Sequence, residues 1–281
     1  MLNLMYITKR PEIARIAEEA GVDWIFVDME FIGKDARQGG LDTVQNHHTV
    51  EDVNNVKAAV TKAKVLVRVN PIHEAMADYP SSEDEINATI DAGADIVMLP
   101  FFKTIAEVER FIRIVDGRAK TCLLVETPEA ALLLDEILNV DGIDMIHLGL
   151  NDLHLALGMK FMFELLSDGT VDRLAAKIKA KGIPFGFGGV ATLTGGAMPG
   201  SMVIKEHYRL GSSMVIVSRS FCNTDKITDL EEVRRIFQTG IADIRRLEEE
   251  AEKAATYFSN NRRAVIDSVK DIINNNNNKL I

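Results

Sequence analysis

Short apolar runs alternate along the chain with longer stretches in which apolar and polar positions repeat at helical spacing. Eight runs read as strands: LNLMYI (2–7), WIFVDM (24–29), KVLVRVN (64–70), DIVMLP (95–100), TCLLVE (121–126), DMIHLGL (144–150), IPFGFG (183–188) and SMVIVS (213–218). They are short and rich in β-branched residues, as strands covered on both faces are. Helical patterns fill the gaps, over 11–20, 51–62, 83–92, 104–115, 128–138, 170–181 and 201–210, and a more acidic one spans 229–256. Three helix–strand joints, EEAGVDWIFV, IDAGADIVML and KAKGIPFGFG, share one punctuation. A glycine supplies the left-handed helix end and the next strand starts at once.

Strands alternating with helices favour a parallel sheet joined by right-handed crossovers. Eight such units in roughly 250 residues have the size of an α/β (β/α)8 barrel, predicted here over residues 1–225. A doubly wound open sheet is the runner-up, but it usually carries a glycine-rich loop after its first strand, and YITKRPE has none. Residues 226–273 are predicted as further helices, too long to be only the eighth barrel helix. Their apolar residues Val233, Ile236, Phe237, Ile241, Ile244 and Leu247 recur at helical spacing. That stripe suits a helix packed on its own barrel or an arm joining copies into a homo-oligomer. The tail 274–281, NNNNNKLI, is low in complexity and predicted to be disordered.

The formal net charge of −10 argues against nucleic acid or an anionic membrane as partner, since both require a basic footprint. No apolar run reaches the ~18 residues of a membrane span. The N-terminus MLNLMYITKRPE lacks the apolar core and cleavage site of a signal peptide, so a cytoplasmic setting is expected. Cys122 and Cys222 have no metal spacing and read as free thiols, with a disulfide as the minor alternative.

Chemistry in such a barrel belongs where strands run into the loops that follow them. The predicted strand ends carry Asp28 and Glu30, Arg68 and Asn70, Lys103, Glu126, Asn151 and Asp152, and Ser218 and Arg219. The strands are otherwise almost free of charge, so a polar floor at one rim is expected. Residues two apart share a face, which points Arg68 with Asn70 and Asp28 with Glu30. An inward arginine needs an anion: either Asp28, in a purely structural salt bridge, or a substrate. Glu126 and Asp152 lie one βα unit apart and therefore end adjacent strands. Two carboxylates meeting there repel unless a cation lies between them. Hard oxygen ligands with room for water suit Mg²⁺ or Mn²⁺. Glu126 also fits a purely local role at the start of the next helix, since ETPEA places Pro128 and Glu129 in the first turn.

In order and at matching intervals, DWIFVDMEF, VRVNP, GADIVMLPFFKT, VETPEA and IHLGLNDL resemble the HpcH/HpaI aldolase and citrate lyase β-subunit family, over roughly residues 10–222. The resemblance implies a (β/α)8 barrel that binds a 2-keto acid or acyl substrate on a divalent metal held by Glu126 and Asp152. It implies that Arg68 contacts the substrate, and that C–C bonds beside a carbonyl are cleaved or formed through an enolate. It also implies oligomers that exchange a C-terminal helix.

One departure bears on the chemistry. Where the aldolases of that family read Glu-His after strand 2, with the histidine as proposed base, this chain has Phe31. The following loop, Ile32 to Thr49, is long and polar, is expected over the barrel mouth, and carries Lys34, Arg37, His47 and His48. Two readings stand for the histidines. Either one of them, His48 before His47, replaces the base, or both merely precede a helix whose capping box is Thr49 with Asp52. Lys103, with Arg37 or Lys34, is expected to hold an extra acidic or phosphate group. GFGGV (186–190) offers backbone N–H groups around Gly188 to an anion. The expected function is a metal-dependent carbon–carbon lyase acting on a small 2-keto acid. Arg68 stabilises the enolate and is positioned by Asp28 or Glu30. Enolate chemistry without aldol cleavage and a non-catalytic keto-acid-binding protein are the alternatives.

Overall fold

All eight predicted runs form strands, and they close into one parallel barrel in chain order. The strands are β1 (Asn3–Ile7), β2 (Trp24–Asp28), β3 (Lys64–Arg68), β4 (Ile96–Leu99), β5 (Lys120–Val125), β6 (Met145–Leu148), β7 (Phe185–Val190) and β8 (Met214–Val217). This computed structural model describes residues 1–34, 47–253 and 255–278. Closure is direct: β1 pairs with β2 on one side and β8 on the other. Alternate residues of a strand face opposite ways. Met5, Phe26, Leu66, Met98, Cys122, Leu124 and Met214 fill the lumen, while Val65, Val67, Val97, Leu99, Leu123 and Val125 pack under the helices. That parity aims Asp28, Arg68 and Glu126, each two residues beyond a lumen residue, at the mouth.

The barrel helices are α1 (Pro11–Ala20), α2 (Val50–Ala59), α3 (Ser82–Asp91), α4 (Ile105–Val115), α5 (Pro128–Leu132), α6 (Leu134–Ile137), α7 (Leu150–Ala156), α8 (Glu164–Ser167), α9 (Thr170–Ala180) and α10 (Gly200–Leu210). Local chemistry starts and stops them. Thr49 and Thr104 each form a capping box, with Asp52 and Glu107. The three glycines predicted to end helices, Gly21, Gly93 and Gly182, stand at φ of 99°, 102° and 71°, where a side chain is strained. The single helix predicted over 128–138 is split, because Leu133 at ψ 6° leaves the helical basin between α5 and α6.

Two long helices complete the chain: α11 (Leu230–Lys253) and α12 (Phe258–Asn278), joined through a 3₁₀ turn at Ala255–Tyr257. The predicted stripe is covered by the chain itself. Val233, Phe237, Ile241 and Ile244 are buried, with α11 against α1 and α10 and α12 against α10 and α8. Asn261 donates to Glu206 Oε1 at 2.8 Å and Arg262 to Asp172 Oδ2 at 3.0 Å, which fixes α12 in place. The helix also continues through Asn278, into the asparagine run for which the sequence predicts disorder. Cys122 and Cys222 are free and buried, and burial raises both thiols above their ordinary range. Among the described residues no helix is long and apolar enough to cross a membrane.

Candidate active site

The barrel mouth holds a cavity of about 260 Å³, lined by Asp28, Lys34, Arg68, Glu126, Asn151, Asp152, His147, Gly188 and Arg219 around apolar side chains such as Phe26, Met98 and Leu124. One wall is an ionic cluster. Asp28 and Arg68 are direct register partners across β2 and β3. The Arg68 guanidinium meets Asp28 side-on, Nε to Oδ1 and Nη2 to Oδ2, both at 2.8 Å. Its Nη1 lies 3.4 Å from Glu30 Oε2. Lys34 Nζ reaches the same two carboxylates, 3.4 Å from Asp28 Oδ2 and 3.3 Å from Glu30 Oε2. Burial by itself would lower the Arg68 pKa, but Asp28 and Glu30 outweigh it and hold the guanidinium well above its usual range. A bidentate fork leaves the arginine one orientation, with its centre 5.5 Å from the Phe26 ring.

Further round the mouth, the ends of β5 and β6 bring Glu126 and Asp152. Glu126 is 2% exposed yet lines the cavity, and Phe101 N–H donates to its Oε1 at 3.0 Å. Phe101 adopts a left-handed φ of 49°. A side chain in that basin costs roughly 1–2 kcal/mol, and strain of this kind gathers at functional sites. Gly149 makes room on the other side: a Cβ there would lie 2.6 Å from Glu126 Cβ and 2.8 Å from Oε2. The helix cap is not Glu126 but its neighbour. Thr127 Oγ1 accepts from Ala130 N–H at 3.1 Å and donates to the Phe102 carbonyl at 2.8 Å. Glu126, not engaged in that cap, lines the mouth. Asp152 and Asn151 reach the same cavity from the first turn of α7.

His147, which the sequence reading does not single out, lines this cavity from within β6. Its Nε2 lies 3.1 Å from the Gly188 carbonyl oxygen, so Nε2 carries the hydrogen and Nδ1 is the bare acceptor. Burial, with the Arg68 charge in the same direction, pushes its pKa to about 4. Space for the ring comes from Gly186, where a Cβ would sit 2.8 Å from Nδ1. Beyond it β7 shifts register against β8, between Gly186 and Gly189, and Gly188 takes a φ of 51°. The local signal in the sequence is a histidine inside an apolar strand, with glycines in the next strand facing it.

Three histidines are held neutral by burial: His48 and His147 at about 4, and His207, stacked on Phe187, well below its usual value. Unfolding exposes all three to water, where they bind protons below about pH 6.5. The unfolded chain therefore binds more protons between pH 6.5 and 4, and stability falls as pH drops through that window. The urea midpoint is expected to decline from pH 7 to pH 5, and His207→Phe is expected to flatten that decline. An unchanged slope would contradict the assignment.

Several predicted site residues lie elsewhere. His47 and His48 line a separate cavity with Phe31 and Tyr79. His48 Nδ1 accepts from Asp28 N–H at 2.9 Å and its own N–H meets the Asp28 carbonyl at 3.4 Å. Its acceptor nitrogen is thus occupied, and neither histidine is brought to the mouth as a base. Lys103 pairs with Glu129 at 3.1 Å, with about half its side chain exposed, and does not line the cavity. Asn70 does not point with Arg68, because β3 ends at Arg68. Its Oδ1 instead accepts from Phe31 N–H and Ile32 N–H, both at 2.9 Å, and its Nδ2 donates to buried Glu85 at 2.8 Å. This clamp accompanies a Phe31 ring set edge-on to Tyr79, 4.8 Å between centroids. Arg37 and most of the loop predicted over the mouth, residues 35–46, lie outside the described residues.

No curated protein matches the sequence. Solved structures of similar fold include two aldolase-family proteins. One is an HpcH/HpaI aldolase from Desulfitobacterium hafniense DCB-2, 16% identical, TM-score 0.60, covering 83% of this chain and 93% of that one. The other is an HpcH/HpaI aldolase/citrate lyase family protein from Burkholderia cenocepacia J2315, 17% identical, TM-score 0.61, covering 83% and 94%. At these identities the likeness is one of fold. The family model described as HpcH/HpaI aldolase/citrate lyase matches residues 3–183, a span that contains Arg68, Glu126, His147 and Asp152. On that match the chain belongs to the HpcH/HpaI aldolase/citrate lyase family, a family of aldolases and lyases.

Proposed function

We propose that this protein is a divalent-metal-dependent carbon–carbon lyase that cleaves a small 4-hydroxy-2-keto acid to pyruvate and an aldehyde. The observation that carries the reading is the meeting of Glu126, Asp152 and Arg68 in one cavity at the C-terminal mouth of the barrel. The donor set fits Mg²⁺ or Mn²⁺. Glu126 and Asp152 line one cavity, and two carboxylates would leave positions on such a cation for substrate and water; among the described residues no group of three or more His, Cys, Asp or Glu could hold a metal. A cation held by Glu126 and Asp152 would supply Lewis acidity to a chelated keto oxygen.

The chain's own residues do the rest. Arg68 is locked by Asp28 before any substrate arrives, so its charge needs no reorganisation as negative charge develops on the oxygen. Ile7, Phe26, Met98, Leu124 and Ile216 line the cavity between the charged groups. They exclude water and keep the effective dielectric low. Asn151, next to Asp152, adds a donor and an acceptor for orienting the substrate. The cavity volume suits an acid of a few carbons, with the aldehyde end directed to the opening.

The test is pyruvate release from a panel of 4-hydroxy-2-keto acids. Release is expected with Mg²⁺ or Mn²⁺, is expected to stop with a chelator, and to return on adding the metal back. Absence of release across the panel at all metal concentrations would refute the reading.

A further inference from the structure

We propose that Lys34 is a catalytic residue of this site, the ammonium that hands a proton to the substrate's enolate carbon after the C–C bond breaks. The proposal rests on the lyase reading above. Just after β2 the chain exchanges faces. Phe31 turns its ring away from the mouth onto Tyr79 and into the neighbouring cavity. A tight turn follows, in which Lys34 N–H donates to the Phe31 carbonyl at 3.1 Å. The turn brings the Lys34 side chain back to line the mouth cavity. The residue is 5% exposed, so an ammonium has been drawn out of bulk solvent to stand beside the substrate space.

The surrounding charges suit a proton donor. Nζ contacts Asp28 and Glu30 at 3.4 and 3.3 Å. An ammonium has three hydrogens, and two carboxylate contacts leave one for the cavity. The other candidates lining the described cavity are committed or unsuitable. The hydrogen of His147 is engaged by the Gly188 carbonyl. Asp28 is held on both oxygens by Arg68. Guanidinium groups, Arg68 and Arg219, do not give up protons. Glu126 and Asp152 belong to the cation. Lys34 is the group there with a transferable proton.

The proton balance closes. In the cleavage direction the 4-hydroxyl loses its proton and the C3–C4 electron pair moves into the enolate. The aldehyde leaves, and C3 takes a proton from Nζ to give the pyruvate methyl group. The hydroxyl proton returns through water to the neutral amine, which restores the ammonium beside its two carboxylates, and no proton is consumed.

The experiment follows exchange of pyruvate methyl hydrogens for deuterium by proton NMR in D2O with Mg²⁺, on the full chain. Wild type is expected to exchange, and Lys34→Ala to slow by about 100-fold or more, the scale of a lost acid–base group. Calorimetric pyruvate affinity is expected to change by less than roughly threefold, which separates proton transfer from uniform binding. Ethylamine is expected to restore exchange in Lys34→Ala in proportion to its concentration. Lys34→Arg keeps the charge and the ion pairs but holds its proton, and is expected to remain slow. Recovery in Lys34→Arg, no rescue by amine, or unaltered exchange in Lys34→Ala each overturns the assignment while leaving the lyase reading in place. A wild-type protein that neither exchanges pyruvate nor cleaves the panel removes the lyase reading itself.

Discussion

Arg68→Met is expected to lose both turnover and stability. Asp28 and Glu30 are 0% and 1% exposed, and the guanidinium is the group that meets Asp28 on both oxygens. Removing one partner of a buried ion pair leaves an uncompensated charge, which costs about 3–5 kcal/mol. Lys34 stays near both carboxylates and softens this, so the lower end of that range is expected. The catalytic loss is separate. A preorganised charge aimed at a developing oxyanion is worth about 10²–10³ in rate, and that factor is expected in kcat. Urea unfolding and steady-state pyruvate release measure the two effects. The double variant Arg68→Met with Asp28→Asn distinguishes them: it removes the stranded charge and recovers stability, but not rate, because coupled partners are not additive. A single variant that keeps its kcat would show that Arg68 is only a structural brace.

The second large effect has the opposite profile. Glu126→Gln and Asp152→Asn are expected to lower metal affinity and metal-dependent turnover by at least about 100-fold, since each would remove one of the two charged ligands proposed for a hard cation. Stability is expected to stay level or rise, because two carboxylates facing one cavity repel when no cation is bound. The glutamine keeps a carbonyl oxygen to accept from Phe101 N–H, so the left-handed turn at Phe101 retains its partner. Titration calorimetry with Mn²⁺ and thermal unfolding without metal give the two readouts. Full Mn²⁺ affinity in both variants would remove the pair from the metal role. On the proposed chemistry Arg68 would serve both fold and turnover, whereas Glu126 and Asp152 would be held by the fold without supporting it.

Much of this site was legible because its causes are local. The fork between Asp28 and Arg68 followed from strand parity and from β2 and β3 being neighbours, and the structure places the two in direct register. Glu126 and Asp152 were legible for the same reason, one βα unit apart. The capping box at Thr49 and Asp52 formed as its spacing predicts. What parity misjudged was the point at which a strand stops. Asn70 shares parity with Arg68, but the chain has left β3 by then, and its amide closes a clamp with Phe31, Ile32 and Glu85. His48 looked like a base from the loop's composition, yet its ring nitrogen is occupied by a backbone N–H at the end of β2. Gly149 carried no signal of its own, and Gly186 was read only as part of a glycine-rich anion loop. Each matters because of a side chain on the adjacent strand, Glu126 and His147.

Strand positions, most helix starts and the rim that carries charge were readable in the amino-acid sequence, because side-chain periodicity and capping act over a few residues. Which of those charges meet depends on how distant strands are brought together. Barrel closure and register bring Lys34, Arg68 and Arg219 into one cavity with Glu126, Asp152 and a histidine from inside β6, and they leave His47, His48 and Lys103 outside it. Those distances depend on contacts between distant segments, which no local pattern encodes.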